Sequence, residues 1–170
     1  MTQGSDAILE RMMTLHPKVI DLTLDRVWRL LRALGNPQHD LPPVIHIAGT
    51  NGKGSTQAMI TALLAAMVLS VATYSSPHVS TVRERISRNG EPIEAIELAD
   101  LIDDLGRVEP TLDVTPSWFE LMTAAAYRWF ADTAVDVALV EVGLLGRFDA
   151  TNVADPSIAV ITNVDFDHTE

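Results

Sequence analysis

The segment Gly49-Thr50-Asn51-Gly52-Lys53-Gly54-Ser55-Thr56 constrains this chain more than any other stretch. The apolar run Val44-Ile45-His46-Ile47-Ala48 precedes it and reads as a buried strand, and Ser55 to Leu69 follows as a helix. A glycine-rich turn between a strand and a helix is built for an anion. Its three glycines let backbone N–H groups turn inward, and the helix start presents the positive end of its dipole. A strict Walker A pattern is not met, because Ile47 stands five positions before Gly52 and Gly54 separates Lys53 from Ser55. Lys53 and Lys18 are the only lysines. Lys53 can neutralise phosphate oxygens, and Ser55 or Thr56 can reach the phosphates or a bound Mg²⁺. The bland alternative is an ordinary turn with an exposed lysine. The strand before and the helix after favour a nucleotide, with Gly49, Thr50, Asn51, Gly52, Lys53, Gly54, Ser55 and Thr56 as its cradle.

Further strands and helices alternate along the chain. Leu24, Val27, Leu31 and Leu34 form one helical stripe within Ile20 to Leu34, and Gly35 follows as a C-cap. Val71 to Tyr74 reads as a second strand, and Asn89-Gly90 marks a hairpin within Ile86 to Pro92. Ile96 to Leu105 is amphipathic, with its acids outward. Ser117 and Glu120 form a capping box for a helix that runs to about Ala131. Val135 to Val142 and Ile158 to Val164 are two more apolar strands. This alternation predicts an α/β fold with a mostly parallel sheet flanked by helices.

Composition narrows the function. The formal net charge is −11, from 23 acids against 12 bases, and since a nucleic-acid binder needs a basic face, DNA or RNA is not the expected partner. The absence of cysteine removes disulfides, thiolate metal sites and cysteine nucleophiles. Met1 to Met13 lacks the apolar core of a signal peptide. The longest apolar run, Ala58 to Leu69, is too short for a bilayer and predicts a buried helix. The expectation is a cytoplasmic protein that touches neither membrane nor nucleic acid.

The loop and its neighbours resemble a known family. His46-Ile47-Ala48-Gly49-Thr50-Asn51-Gly52-Lys53-Gly54-Ser55 is similar to the phosphate loop of folylpolyglutamate synthases and dihydrofolate synthases, in the Mur ligase superfamily. Leu34-Gly35-Asn36-Pro37-Gln38, Tyr74-Ser75-Ser76-Pro77-His78, Arg83-Glu84-Arg85-Ile86 and Asn89-Gly90-Glu91-Pro92-Ile93 are similar too. So are Glu141 to Asn152 and Asp167-His168-Thr169-Glu170. The resemblance implies an ATP-dependent amide ligase. ATP phosphorylates a carboxylate of dihydropteroate or folate, and the amino group of L-glutamate attacks the acyl phosphate. It also implies a Mg²⁺ site at Ser76, Glu141 and His168, with Lys53, Glu141 and His168 serving catalysis. Glu141 would be a Walker B-like acid at a strand end, where the bland reading is a carboxylate facing solvent. His168 is the least expected of the three, since Mg²⁺ prefers oxygen. Ser117, Trp118, Phe119 and Glu120, with Phe148, Asp149 and Ala150, match pterin-binding stretches. Packing for Trp118 and Phe119, and capping for Ser117 and Glu120, account for those residues equally well. Arg83, Arg85 and Arg147 rank low as partners of substrate carboxylates.

Three departures from the family pattern matter. Leu145 stands where the family has glycine. Met67-Val68-Leu69-Ser70 lacks the glycine that would stop the preceding helix, which predicts a displaced second strand and Ser76 loop. Val79-Ser80-Thr81-Val82 also differs. Family members continue well past Glu170, so the expectation is an amino-terminal portion. A helical segment and linker would occupy residues 1–43, and a Mur ligase-like ATP-binding domain, truncated, residues 44–170. The strand ending at Val164 would then lie at an exposed sheet edge. The full-length protein would be a monomer. A muramyl-type amino acid ligase, a nucleotide-binding module without catalysis and a small-molecule kinase are the competing readings.

Overall fold

A computed structural model describes residues 3–15, 23–144 and 146–165. Five helices are described, α1 (Gln3–Met13), α2 (Asp25–Ala33), α3 (Lys53–Ala66), α4 (Ala95–Val108) and α5 (Trp118–Asp132). The strands are β1 (Val44–Ala48), β2 (Val71–Tyr74), β3 (Ile86–Arg88), β4 (Glu91–Pro92), β5 (Val137–Glu141) and β6 (Ile158–Ile161). They form one sheet in the order β4-β3-β2-β5-β1-β6. The pairs β2–β5, β5–β1 and β1–β6 are parallel, and the β2–β3–β4 end is antiparallel. The predicted hairpin forms at Asn89 and Gly90, whose φ values of +53° and +86° suit a tight turn between right-twisted strands.

Side chains alternate across this sheet, which decides what each face can do. Val44, Ala72, Tyr74, Ala138 and Val140 point into a large core shared with α1, α2, α4 and α5. Ile47, Val71 and Leu139 point the other way, under α3, into a small cluster completed by Ile45, Ile60, Leu64, Val137 and Val160. The helix α5 lies within the large core. Ser117 caps it by accepting from Glu120 N–H at 3.2 Å, while Glu120 accepts from Ser117 N–H at 2.6 Å. Leu121, Met122 and Phe130 on this helix are fully or almost fully buried. Each such side chain contributes about 1.5–3 kcal/mol. Leu9, Met12, Val27, Leu30 and Leu31 from the first two helices enter the same core.

Several expectations are corrected. The Ala58 to Leu69 run is not a buried helix. Gln57 alone in α3 is buried, and Met59, Leu63 and Met67 are 61–68% exposed. Among the described residues this helix has the sheet on one side and nothing outside it, so only Ile60 and Leu64 find apolar partners. The helix predicted from Ile20 begins at Asp25 in the described residues, where Thr23 Oγ1 accepts from Asp25 N–H. Residues 20–22 lie outside the described residues. β2 occupies Val71–Tyr74, where its apolar residues placed it. Val68 adopts the left-handed conformation at φ +63° that glycine was expected to supply. Its N–H donates to Ala65 O, and Leu69 N–H donates to Leu64 O, which closes the end of α3. β6 ends at Ile161, three residues before the predicted Val164, because Thr162 to Asp165 turn onto the glycine loop. It lies at the edge of the sheet, with Ile158 and Ile161 53% and 68% exposed. Among the described residues no helix is long and apolar enough to cross a membrane.

Candidate functional site

The glycine loop leaves β1 at the carboxyl end of the parallel strands and enters α3, so it lies where open α/β sheets bind ligands. Gly49 sits at φ +140° and Gly52, the residue preceding α3, at φ +80°. The N–H groups of the first helical turn, Lys53 to Ser55, have no acceptor within the helix. Lys53 extends back across the loop, donating from Nζ to Gly49 O at 2.8 Å and to Thr50 O at 3.3 Å. The ammonium is thus held at the mouth of the loop, where it would meet a phosphate.

Glu141 ends β5 on the face of the sheet that α3 covers. It is 6% exposed, so it does not face solvent as a plain strand-end acid would. One carboxylate oxygen accepts from Ser76 N–H at 3.2 Å. The same oxygen lies 4.0 Å from the position a Cβ on Gly54 would occupy. Burial raises the Glu141 pKa, opposed by the Ser76 bond and the charge of Lys53. Ser76 follows β2 in a loop whose Ser76–Pro77 peptide is cis. The desolvated Glu141 carboxylate, next to the Ser76 backbone, offers oxygen of the kind that suits Mg²⁺, a hard cation that takes oxygen ligands. The structure brings Ser76, Glu141 and Lys53 together. His168 lies outside the described residues, and among those residues no three His, Asp or Glu side chains cluster. A groove of about 620 Å³ opens beside them, with Gly54, Ser76 and Glu141 in its wall.

The second cavity, about 350 Å³, lies on the other side of the loop, between Lys53, Gly143, Leu144, Gly146 and Asn163. Gly143, Leu144 and Gly146, in the turn before Asp149, form part of its wall. The Asp149 carboxylate accepts from Leu144 N–H at 2.7 Å and from the Thr151 N–H and hydroxyl at 3.0 and 2.5 Å. Burial raises its pKa, and these bonds together with one from Gly143 N–H oppose the rise. Asp149 therefore holds the turn, and Ala150 is buried beside it. Phe148 is 43% exposed, with the Arg147 guanidinium 5.6 Å from its ring centroid. Phe119 packs against Gly143 so tightly that a Cβ there would lie 2.5 Å from the ring. Trp118 is buried in the core. Glu120 is engaged by Arg26, whose Nε is 3.1 Å from each oxygen, as well as by its capping bond. Capping and packing are thus observed for Ser117, Trp118 and Glu120. Phe119 is the member of the four that reaches the cavity wall, through Gly143. Leu145 lies outside the described residues. Arg83 and Arg85 are taken up internally, by Ile93 O and by His78 Nδ1.

Four residues near the site were not singled out from sequence. Gln57 Nε2 donates to Tyr74 O and Leu139 O, tying α3 to β2 and β5. His46 Nε2 lies 2.8 Å from Thr151 Oγ1. That hydroxyl donates to Asp149, so His46 must be the donor to it. The Thr162 and Asn163 side chains both bond the glycine loop. Their signals are weak in sequence, because a lone Gln, His, Thr or Asn outside a motif reads as an ordinary strand, helix or loop residue.

The Mur ligase middle domain matches residues 47–170. A dihydrofolate synthase/folylpolyglutamate synthase of Bacillus subtilis is 43% identical over 150 residues, covering 85% of this chain and 35% of that protein. The Mycobacterium tuberculosis folylpolyglutamate synthase complexed with ADP superposes with a TM-score of 0.87 at 38% identity. That match covers 98% of this chain and 37% of the other. A bifunctional folylpolyglutamate synthase/dihydrofolate synthase with Mn, AMPPNP and L-glutamate bound gives 0.84 at 34% identity, covering 98% and 39%. The chain spans about a third of the length of these relatives.

Proposed function

The chain belongs to the Mur ligase middle-domain family, and on that premise we propose that it is the nucleotide-binding part of a folate-modifying amide ligase. ATP would phosphorylate a carboxylate of dihydropteroate or folate, and the amine of L-glutamate would displace the phosphate to give an amide. The observation that carries this reading is the juxtaposition of Lys53, the α3 start and the desolvated Glu141 on one side of the loop. Relatives that share this fold are described with ADP, and with Mn, AMPPNP and L-glutamate.

In this reading the first-turn N–H groups of α3 and Lys53 Nζ bind the β- and γ-phosphates. Lys53 gives up its bonds to Gly49 O and Thr50 O when phosphate oxygens replace them. Glu141 and Ser76, with His168 as a further ligand, would hold the divalent ion, which when bound would offset negative charge on the phosphates. The cavity beside Gly143 takes the pteroate end, with Phe119 behind its wall, and Asp149 keeps that wall in place. We assign residues 1–43 to a helical lead-in and the remainder to the ATP-binding domain. The protein acts in the cytoplasm as a monomer on small molecules, in keeping with its net charge of −11.

Calorimetric titration of ATP with Mg²⁺ into this chain and its Lys53→Ala variant tests the reading. Binding to the parent that weakens at least tenfold in the variant supports it. Equal affinities would show that the loop is not the nucleotide site.

A further inference from the structure

The glycine loop is held from outside by the segment that leaves β6. Thr50 N–H donates to Asn163 O at 3.1 Å, and Asn51 N–H donates to Asn163 Oδ1 at 2.8 Å. Thr162 Oγ1–H donates to Asn51 O at 2.7 Å, its shortest contact, and Asp165 N–H donates to Thr50 Oγ1 at 3.1 Å. Thr50 Oγ1–H donates in turn to Asp165 O at 3.1 Å, so five bonds grip two consecutive loop residues. Gly49 completes the fit. A Cβ there would lie 2.0 Å from Thr162 Oγ1 and 3.0 Å from Asn163 O, so the clasp and the glycine require one another. None of these bonds belongs to the β1–β6 ladder, whose register ends at Ala48 and Ile161.

From this we infer that Thr162 and Asn163 are positioning residues for phosphate binding. The clasp has two consequences. It occupies the N–H groups of Thr50 and Asn51, so the anion cradle comprises the N–H groups from Gly52 to Ser55 and Lys53 Nζ. It also fixes a turn that carries left-handed glycines at both ends, so the loop is ordered before the ligand arrives and binding does not bear that cost. The inference rests on the nucleotide reading above and deepens it, because Thr50 and Asn51 are assigned to the scaffold of the loop and not to its phosphate contacts.

The test uses Thr162→Val, which keeps the shape and removes the hydroxyl, and Thr162→Ser, which keeps the hydroxyl. Asn163→Ala is a second, independent break at an exposed position. Two readouts are taken on each chain: Mg²⁺–ATP affinity by calorimetry, and amide hydrogen exchange at Thr50 and Asn51 without nucleotide. The expected result is an affinity about tenfold lower in Thr162→Val and Asn163→Ala, the size of one lost hydrogen bond. Exchange at Thr50 and Asn51 should be faster in both, with Thr162→Ser within about twofold of the parent on each measure. Parent-like affinity and exchange in Thr162→Val would overturn the inference, as would a Thr162→Ser variant as impaired as Thr162→Val. If the parent binds no ATP, the nucleotide reading fails and exchange alone judges the clasp. Slow exchange in the parent and fast in Thr162→Val would uphold it, and equal rates would refute it.

Discussion

Replacing Val68 by glycine should stabilise this chain. Val68 sits at φ +63° just beyond α3, in a turn that closes the helix through Val68 N–H to Ala65 O and Leu69 N–H to Leu64 O. The left-handed region costs an L-residue roughly 1–2 kcal/mol, and a β-branched side chain is at the upper end of that range. The side chain is 92% exposed, so removing it loses almost no burial. Glycine relieves the strain but adds freedom to the unfolded chain, a loss of about 0.5–1 kcal/mol. The net gain is about 1 kcal/mol. Urea unfolding should show the midpoint rising by about 0.5 M at an unchanged slope of about 2 kcal/mol/M. Thermal unfolding should shift upward by about 2–4 °C. Val68→Ala keeps the Cβ and should recover only a fraction of this. A Val68→Gly midpoint at or below the parent's would refute the argument, and so would an equal gain in Val68→Ala.

Further expectations concern the site and the helix behind it. Burial raises the Glu141 pKa above its ordinary 4.5, so without metal its stabilising contribution is full below 4.5 and is lost as pH rises through the higher folded value. Metal binding has the opposite sign, because it needs the carboxylate ionised. Mn²⁺ affinity should fall on acidification at a pH above 4.5, and Glu141→Gln should weaken both the affinity and that dependence in a titration across the acidic range. Gly143→Ala should cost about 1–3 kcal/mol in chemical unfolding, because its Cβ meets the Phe119 ring. Adding Phe119→Ala should remove most of that increment in a double-mutant cycle. Glu120→Ala should cost about 2 kcal/mol, since it removes a cap acceptor and one partner of the half-buried Arg26. A thermal midpoint unchanged in that variant would mean that Glu120 is not structural.

Much of this fold was legible in the sequence. β1 and β2 lie where the apolar runs placed them, because strands buried on both faces read as continuous hydrophobic stretches. The Ser117–Glu120 box and the Asn89-Gly90 turn were also legible, since each is a local device with a fixed spacing. The exposure of α3 was not. Its composition is apolar on every side, and composition alone cannot say how many neighbours a helix will find. The stop at Val68 was missed for a different reason. A valine stands there in a conformation that local preference opposes. In the site, residues carried by a motif were legible and those carried by distance were not. Thr162 and Asn163 lie more than a hundred positions from Asn51, and no local pattern links them.

The most direct test of the central claim is a structure of this chain with a non-hydrolysable ATP analogue and Mn²⁺, the metal located by its anomalous signal. The account predicts the triphosphate across the α3 start, with Lys53 Nζ turned from Gly49 O to the phosphates and Mn²⁺ coordinated by Glu141. Nucleotide bound elsewhere, or a metal held on the phosphates beyond reach of Glu141, would contradict it.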